Sequence, residues 1–182
     1  IKNQCNHWSE MLDQIDALLL ARDDSQNHMK YAELFLKRGI PIYIDKPLAT
    51  SIARADEIFN LQKYPGQIFT CSALRYANEF ILDGSTRTEI GVVKRIEATS
   101  IKDWDKYAVH IIEPSYNIAK PKGDVLEKKS NLNSGKTRLE LFYSNIELLF
   151  ETTGEITGEI AITIIGSEKT IVRKFKDPFH AF

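Results

Sequence analysis

The sequence predicts two halves of different texture: an α/β half on a short parallel sheet, then an α+β half on an open, mainly antiparallel sheet. Three observations carry this. A complete strand–helix–strand cycle fits between Ile15 and Ala49, in IDALLLARDDSQNHMKYAELFLKRGIPIYIDKPLA. A second helical stretch and a third short apolar run follow by Cys71, the alternation of a doubly wound sheet. From Gly91 onward the pattern becomes strand after strand. The boundary is expected between Asn78 and Gly91, which assigns residues 1–77 to the first domain and 78–182 to the second.

Taken in order, Trp8 to Gln14 reads as a short amphipathic helix capped near Asn6. Asp16 to Ala21 is an apolar run suited to a strand buried on both sheet faces. After Arg22-Asp23-Asp24-Ser25, the residues Met29, Ala32, Phe35 and Leu36 share one helical face, with Lys30, Glu33 and Lys37 turned away. Gly39 stands where a helix end asks for positive φ. Pro41 to Ile44 is a second strand that runs into Asp45-Lys46-Pro47, a Lys-Pro bond open to the cis form. Thr50 or Ser51 caps a helix reaching about Tyr64, with Ile52, Ala55, Ile58 and Phe59 inward and Pro65-Gly66 after it. Ile68 to Cys71 is the third strand of the parallel set.

In the second half, Leu74 to Leu82 reads as a helix ending at Asp83-Gly84, and Val92 to Ile101 as a long strand. Trp104 to Ala119 is a helix carrying His110, and Lys120 to Gly123 leads back to the sheet. Arg138 to Tyr143 and Ile146 to Glu151 flank Ser144-Asn145 as a hairpin, and Gly158 to Ile165 and Thr170 to Phe175 complete a meander covered on one face.

The bulk numbers exclude several function classes. With 182 residues, 43% hydrophobic and 27% charged, the chain has the composition of a globular protein with ample core. A net charge of −1 gives no reason to expect nucleic acid or an anionic membrane as partner. No apolar run approaches the roughly 20 residues that span a bilayer, and no signal peptide opens the chain. Cys5 and Cys71 are too few for a disulfide framework or a zinc site, so no metal is expected and a reducing cytoplasm is the expected location. Opening on Ile1 and closing on Asp177-Pro-Phe-His-Ala-Phe182, the chain reads as cut at both ends.

Parallel sheets hold their chemistry at the carboxyl ends of their strands, and both polar clusters, Arg22 to His28 and Asp45 to Pro47, fall there. A lysine at such a tip aims an ammonium into a ligand crevice, while the plain alternative is a Lys-Pro strand end with its charge in water. LxxGIPIYIDKPLA, preceded by DDSQNH, resembles the signature of the Gfo/Idh/MocA oxidoreductases. His28, Leu36, Gly39, Lys46, Pro47, Leu48 and Ala49 match in register, with Asp45 in place of the usual Glu. The motif-specific likeness spans about Ile15 to Ala55, and the layout beyond it agrees: a partial Rossmann-like half before an open antiparallel sheet.

The resemblance implies NAD(P)-dependent hydride transfer on a sugar, polyol or related hydroxy compound, with NAD or NADP undecided. It implies Lys46 and His110 as catalytic residues, His110 as general base, meeting across a shared crevice. It implies Arg22, Asp23, Ser25, His28, Asp45 and Lys46 on the cofactor, by backbone contacts at the strand end because aspartates repel a pyrophosphate. The family's Asp-x-x-x-His pair is broken here: Lys106 stands four residues before His110, with Asp105 one place off and Tyr107 as a candidate to share proton transfer. His7, Cys71 and His180 are read as structural. No Gly-x-Gly occurs, so the resemblance implies a further stretch of roughly two βα units before Ile1, and an isolated fragment without activity. It also implies a homo-oligomer through the antiparallel sheet. Two rivals remain, a non-catalytic sugar- or nucleotide-binding relative and an NAD-dependent glycosidase on the same fold.

Overall fold

A computed structural model describes residues 3–133 and 135–176, so Ile1, Asp177 to Phe182 and the reading of His180 lie outside the described residues. Contacts divide the chain into two compact units, Ile1–Cys71 and Ser72–Phe182, where the sequence expects the division after residue 77.

The first unit holds a three-stranded sheet of β1 (Leu18–Leu20), β2 (Ile42–Ile44) and β3 (Ile68–Phe69), all parallel and in sequence order. Between them run α1 (His28–Arg38) and α2 (Ile52–Phe59). Gly39 ends α1 at φ 81°, the left-handed cap its position asks for. Gln67, buried behind that cap, donates from its amide nitrogen to the Leu36 and Ile40 carbonyls and accepts from the Lys63 N–H. One side chain thus satisfies carbonyls that the end of a helix leaves open.

Among the described residues both crossovers of this sheet lie on one face. Leu20, Ile42, Ile44 and Ile68 pack with Ala32, Phe35 and Leu36 of α1 and Ile58 of α2 in one cluster, whereas Leu19 and Phe69, of opposite parity, are 69% and 50% exposed. Strands in sequential order send both crossovers to the same face, so β1 is buried on one face and not on two. The α2 stripe is also narrower than expected. Ile58 is buried, Ala55 is half-buried, and Ile52 and Phe59 are exposed, because an eight-residue helix brings only its middle over the sheet. Ser51 is its cap, accepting from the Arg54 N–H. The first helical stretch is a 3-10 turn, Trp8–Met11, capped by the His7 ring and not by Asn6.

The second unit opens with two 3-10 turns, Ala73–Tyr76 and Asn78–Phe80, in place of one expected helix. Ala77 between them is extended (φ −62°, ψ 129°). Asp83-Gly84, read as an end, is a beginning: Asp83 caps α3 (Gly84–Ile90). Then come β4 (Val93–Ser100), α4 (Trp104–Tyr107) and α5 (Val109–Ala119), the expected single helix being broken at Ala108. β5 (Glu127–Asn133), β6 (Lys136–Phe142), β7 (Glu147–Thr152), β8 (Ala161–Gly166) and β9 (Thr170–Lys174) complete a sheet of order β5-β6-β7-β4-β8-β9. It is not a plain meander: β4 lies between β7 and β8, parallel to the first and antiparallel to the second. Ile96, Ala98, Leu148, Phe150, Ile162 and Ile164 line the inner face with Ile111 and Ile118 of α5. The outer face carries ion pairs, Arg95 with Glu97 and Glu147, and Arg138 with Glu140 and Glu151.

Two outcomes are expected from this packing. A Cβ at Gly166 would collide with the Ile90 carbonyl, so Gly166→Ala is expected to lower stability by about 1–3 kcal/mol in urea unfolding. The Asp83 carboxylate accepts from the Thr86 N–H and the Ser85 hydroxyl, which hold its pKa at about 2. A carboxyl lowered in the folded state stabilises fully above its ordinary range and loses that contribution as pH falls through the folded value. Asp83→Ala should therefore speed amide exchange across α3 at neutral pH, and that difference should vanish toward pH 2.

Candidate functional site

In the first unit the parallel register pairs Leu20 with Ile44, so both chains leave the sheet at the same end. The Asp45 N–H donates to the Leu20 carbonyl at 3.0 Å and carries the ladder to the start of the Asp45-Lys46-Pro47 turn. The Lys46–Pro47 peptide is cis, and Asp45, Lys46 and Pro47 are half-buried.

His28 joins the two clusters. It is fully buried, and its ring nitrogens lie 2.8 Å from the Arg22 carbonyl and 3.1 Å from the Leu48 carbonyl. The imidazole therefore ties the strand end of β1 to the turn after Lys46. Arg22 and Asp24 form a two-point pair, both contacts at 2.7 Å, and the Asn27 amide donates to Asp24 at 2.8 Å. These partners hold the Asp24 carboxyl well below the usual carboxylate range. The Arg22 guanidinium also lies 4.7 Å from the centre of the Tyr31 ring. Asp23 is exposed. Ser25 opens the 3-10 turn Ser25–Asn27 and lines a cavity of about 220 Å³ with Gln26, Met29, Ala49, Thr50 and Arg54. Ser25, His28, Asp45 and Lys46 thus gather at one end of the sheet, with Asp24 neutralised by its own loop.

In the second unit His110 stands in the first turn of α5 and is 2% exposed. Its Nδ1 lies 2.6 Å from the Ser72 hydroxyl oxygen. That oxygen also accepts the Leu74 N–H at 3.1 Å, while the Ser72 N–H donates to the Glu113 carboxylate at 3.1 Å. Burial pushes the Glu113 carboxyl up, opposed by the Ser72 N–H and by the Arg75 guanidinium at 3.9 Å. The Tyr107 ring meets the imidazole edge-on, 5.4 Å between centres, and its hydroxyl oxygen accepts from the Lys102 ammonium at 2.5 Å. Lys102 holds a left-handed backbone (φ 59°), its N–H donating to the Glu155 carbonyl and its carbonyl accepting from the Gly154 N–H.

Ser72, Glu113 and Lys102 were not singled out from the sequence. Glu113 lies one helical turn beyond His110, a spacing that places both on one side of α5. Ser72 carries a cap signal and nothing that ties it to a residue thirty-eight positions on. Among the described residues no group of three His, Cys, Asp or Glu side chains is arranged to hold a metal, and no helix is long and apolar enough to cross a membrane.

The family described as "Oxidoreductase family, NAD-binding Rossmann fold" matches residues 1–72, the stretch that carries the strand-end cluster. No curated protein matches. Among solved structures, a levoglucosan dehydrogenase in complex with NADH and levoglucosan is 17% identical with a TM-score of 0.75, over 95% of this chain and 58% of that one. An oxidoreductase from Sinorhizobium meliloti is 16% identical (TM-score 0.74, 96% and 58%). A UDP-N-acetylglucosamine 3-dehydrogenase from Acidithiobacillus ferrooxidans is 10% identical (TM-score 0.72, 92% and 60%). The chain thus spans 58% to 60% of the length of these structures, and identities this low establish the fold alone. Residues 1–72 thus match the Gfo/Idh/MocA oxidoreductase family, and nearly the whole chain shares its fold with solved oxidoreductases.

Proposed function

We propose that this chain is part of an NAD(P)-dependent oxidoreductase that acts on a sugar, polyol or related hydroxy compound in a reducing cytoplasm. The observation that carries the reading is the gathering of Lys46, Asp45, Ser25 and His28 at the carboxyl end of one parallel sheet, with a buried imidazole joining the two turns. Ligands of open α/β sheets bind at that end.

The residues present suit the nicotinamide side of the cofactor. Pairing of Asp24 with Arg22 removes one of the two negative charges that oppose a phosphate at this strand end. Arg22, Asp23, Ser25, Asp45 and Lys46 would hold the group, and His28 would act by keeping their two turns in register. When bound, the cofactor supplies a hydride donor or acceptor. The Lys46 ammonium stabilises negative charge that develops on the substrate oxygen, and His110 is the second catalytic group.

A cavity of about 500 Å³ in the second unit supports a sugar-like substrate. Trp104, Asp103, Asp105, Asn131 and Thr137 line it, an indole with carboxylate, amide and hydroxyl groups, chemistry suited to a polyhydroxylated ring. The solved relative that holds NADH and levoglucosan agrees with that class. Lys106, where the family carries aspartate, favours a second reading, a non-catalytic relative that binds a sugar or nucleotide. We further propose a homo-oligomer through the outer face of the six-stranded sheet, where Arg95 and Glu140 side chains are only 31% and 24% exposed.

In the whole protein, Lys46→Ala is expected to lower kcat by roughly 10²-fold or more, with the Lys46→Ala, His110→Ala double variant far less than multiplicative. Sugar binding that survives Lys46→Ala, in a protein whose wild type shows no turnover with any sugar or inositol, would favour the non-catalytic reading. Light scattering after size exclusion should show a dimer or larger for the wild type and a smaller species for Arg95→Glu, and a wild-type monomer would end the oligomer proposal.

A further inference from the structure

The contacts of Ser72 bear on how His110 works, a point that rests on the function proposed above and makes its second catalytic group specific. A carboxylate facing Nδ1, as in the Asp-x-x-x-His pattern, accepts only. It keeps a proton on Nδ1 and leaves Nε2 bare, the state of a general base. Here the residue four before His110 is Lys106, and the group at Nδ1 is a hydroxyl.

A hydroxyl has one proton and two lone pairs. One lone pair of the Ser72 oxygen takes the Leu74 N–H at 3.1 Å, and the Glu113 carboxylate takes the Ser72 backbone N–H. The hydroxyl proton then has the His110 Nδ1, 2.6 Å away, as its acceptor. Ser72 is 0% exposed and His110 2% exposed, so bulk water does not compete for that proton. The reverse arrangement, Nδ1–H donating to Ser72, would leave the buried hydroxyl proton without an acceptor that the structure shows and would also put a lone pair on the buried Nε2, where the proposed arrangement puts an N–H for an incoming acceptor.

We infer that Ser72 is a positioning residue that holds His110 in the neutral Nε2–H tautomer, so that His110 serves as a hydrogen-bond donor to an oxygen acceptor such as a substrate carbonyl. In that tautomer Nε2 has no lone pair to receive a hydroxyl proton. Proton removal falls to another group, and His110 contributes by polarising an oxygen while keeping its own proton. A neutral histidine in that role acts as an electrophile. Glu113 and the start of the 3-10 turn at Ala73 keep the serine in place from two sides.

The test is long-range proton–nitrogen correlation NMR on the ¹⁵N-histidine-labelled full chain, above the pH at which the imidazoles titrate. His110 is assigned among the four histidines by loss of its signals in His110→Gln. The expected pattern is an unprotonated Nδ1 and a protonated Nε2 in the wild type and in Ser72→Thr, with averaging or reversal in Ser72→Ala. A reversed or averaged pattern in the wild type overturns the inference without any variant. So does a Ser72→Ala protein that keeps the wild-type pattern. Nicotinamide binding, measured separately by fluorescence titration on the whole protein, keeps the two ideas apart: a reversed tautomer with binding intact defeats only this inference, and the expected tautomer without binding by the whole protein defeats only the function proposed above.

Discussion

A buried imidazole bonded to two loops is the constraint on which the first unit's site depends. His28 sits where α1 begins, and its ring spans from the Arg22 carbonyl to the Leu48 carbonyl. Polar groups as buried as this are costly unless bonded, so the ring fixes the spacing of both loops to the helix. Lys46 lies two residues before one of those contacts. Its ammonium stands on a long flexible stem, but the backbone that launches it is held by the β2 ladder on one side and by His28 on the other.

The second unit solves a different problem, how to seat one histidine against a sheet. The helix α5 lies over the inner face, where Ile111 and Ile118 meet Ile96, Ala98 and Phe150. Inserting β4 between β7 and β8 puts the most apolar strands at the centre of the sheet, directly beneath that helix. β5, exposed at every described position, is left at the edge. The ion pairs of the outer face contribute little to the stability of a lone chain, because exposed pairs are screened and cost side-chain entropy. Their interest lies in what could pack over them.

A histidine is defined by what faces its inner nitrogen. In this chain the group facing the inner nitrogen of His110 is a serine hydroxyl brought in from a distant turn. A carboxylate supports a protonated ring by charge, which a hydroxyl does not. Lys106 belongs to the last turn of α4, where a cation suits the helix dipole.

Much of the first unit is legible along the chain because its signals are local. The Gly39 cap, the Ala32–Phe35–Leu36 stripe and the strand entering Lys46-Pro47 each depend on neighbours within a few residues. The same holds for the β6–β7 hairpin, whose inward Leu139, Leu141, Leu148 and Phe150 alternate as read. β5 leaves no such mark because an edge strand needs no apolar alternation. α3 leaves none either, because Asp83-Gly84 can stop one helix or start the next. Local pattern by itself determined the two textures, the strand-tip lysine and the helical histidine. Only tertiary structure decided that both crossovers cover one face, that β4 runs beside β7, and that Ser72 reaches His110. Those outcomes join residues far apart in sequence, and the free energy that selects them comes from burial and from satisfying polar groups in the interior, which no short window of residues contains.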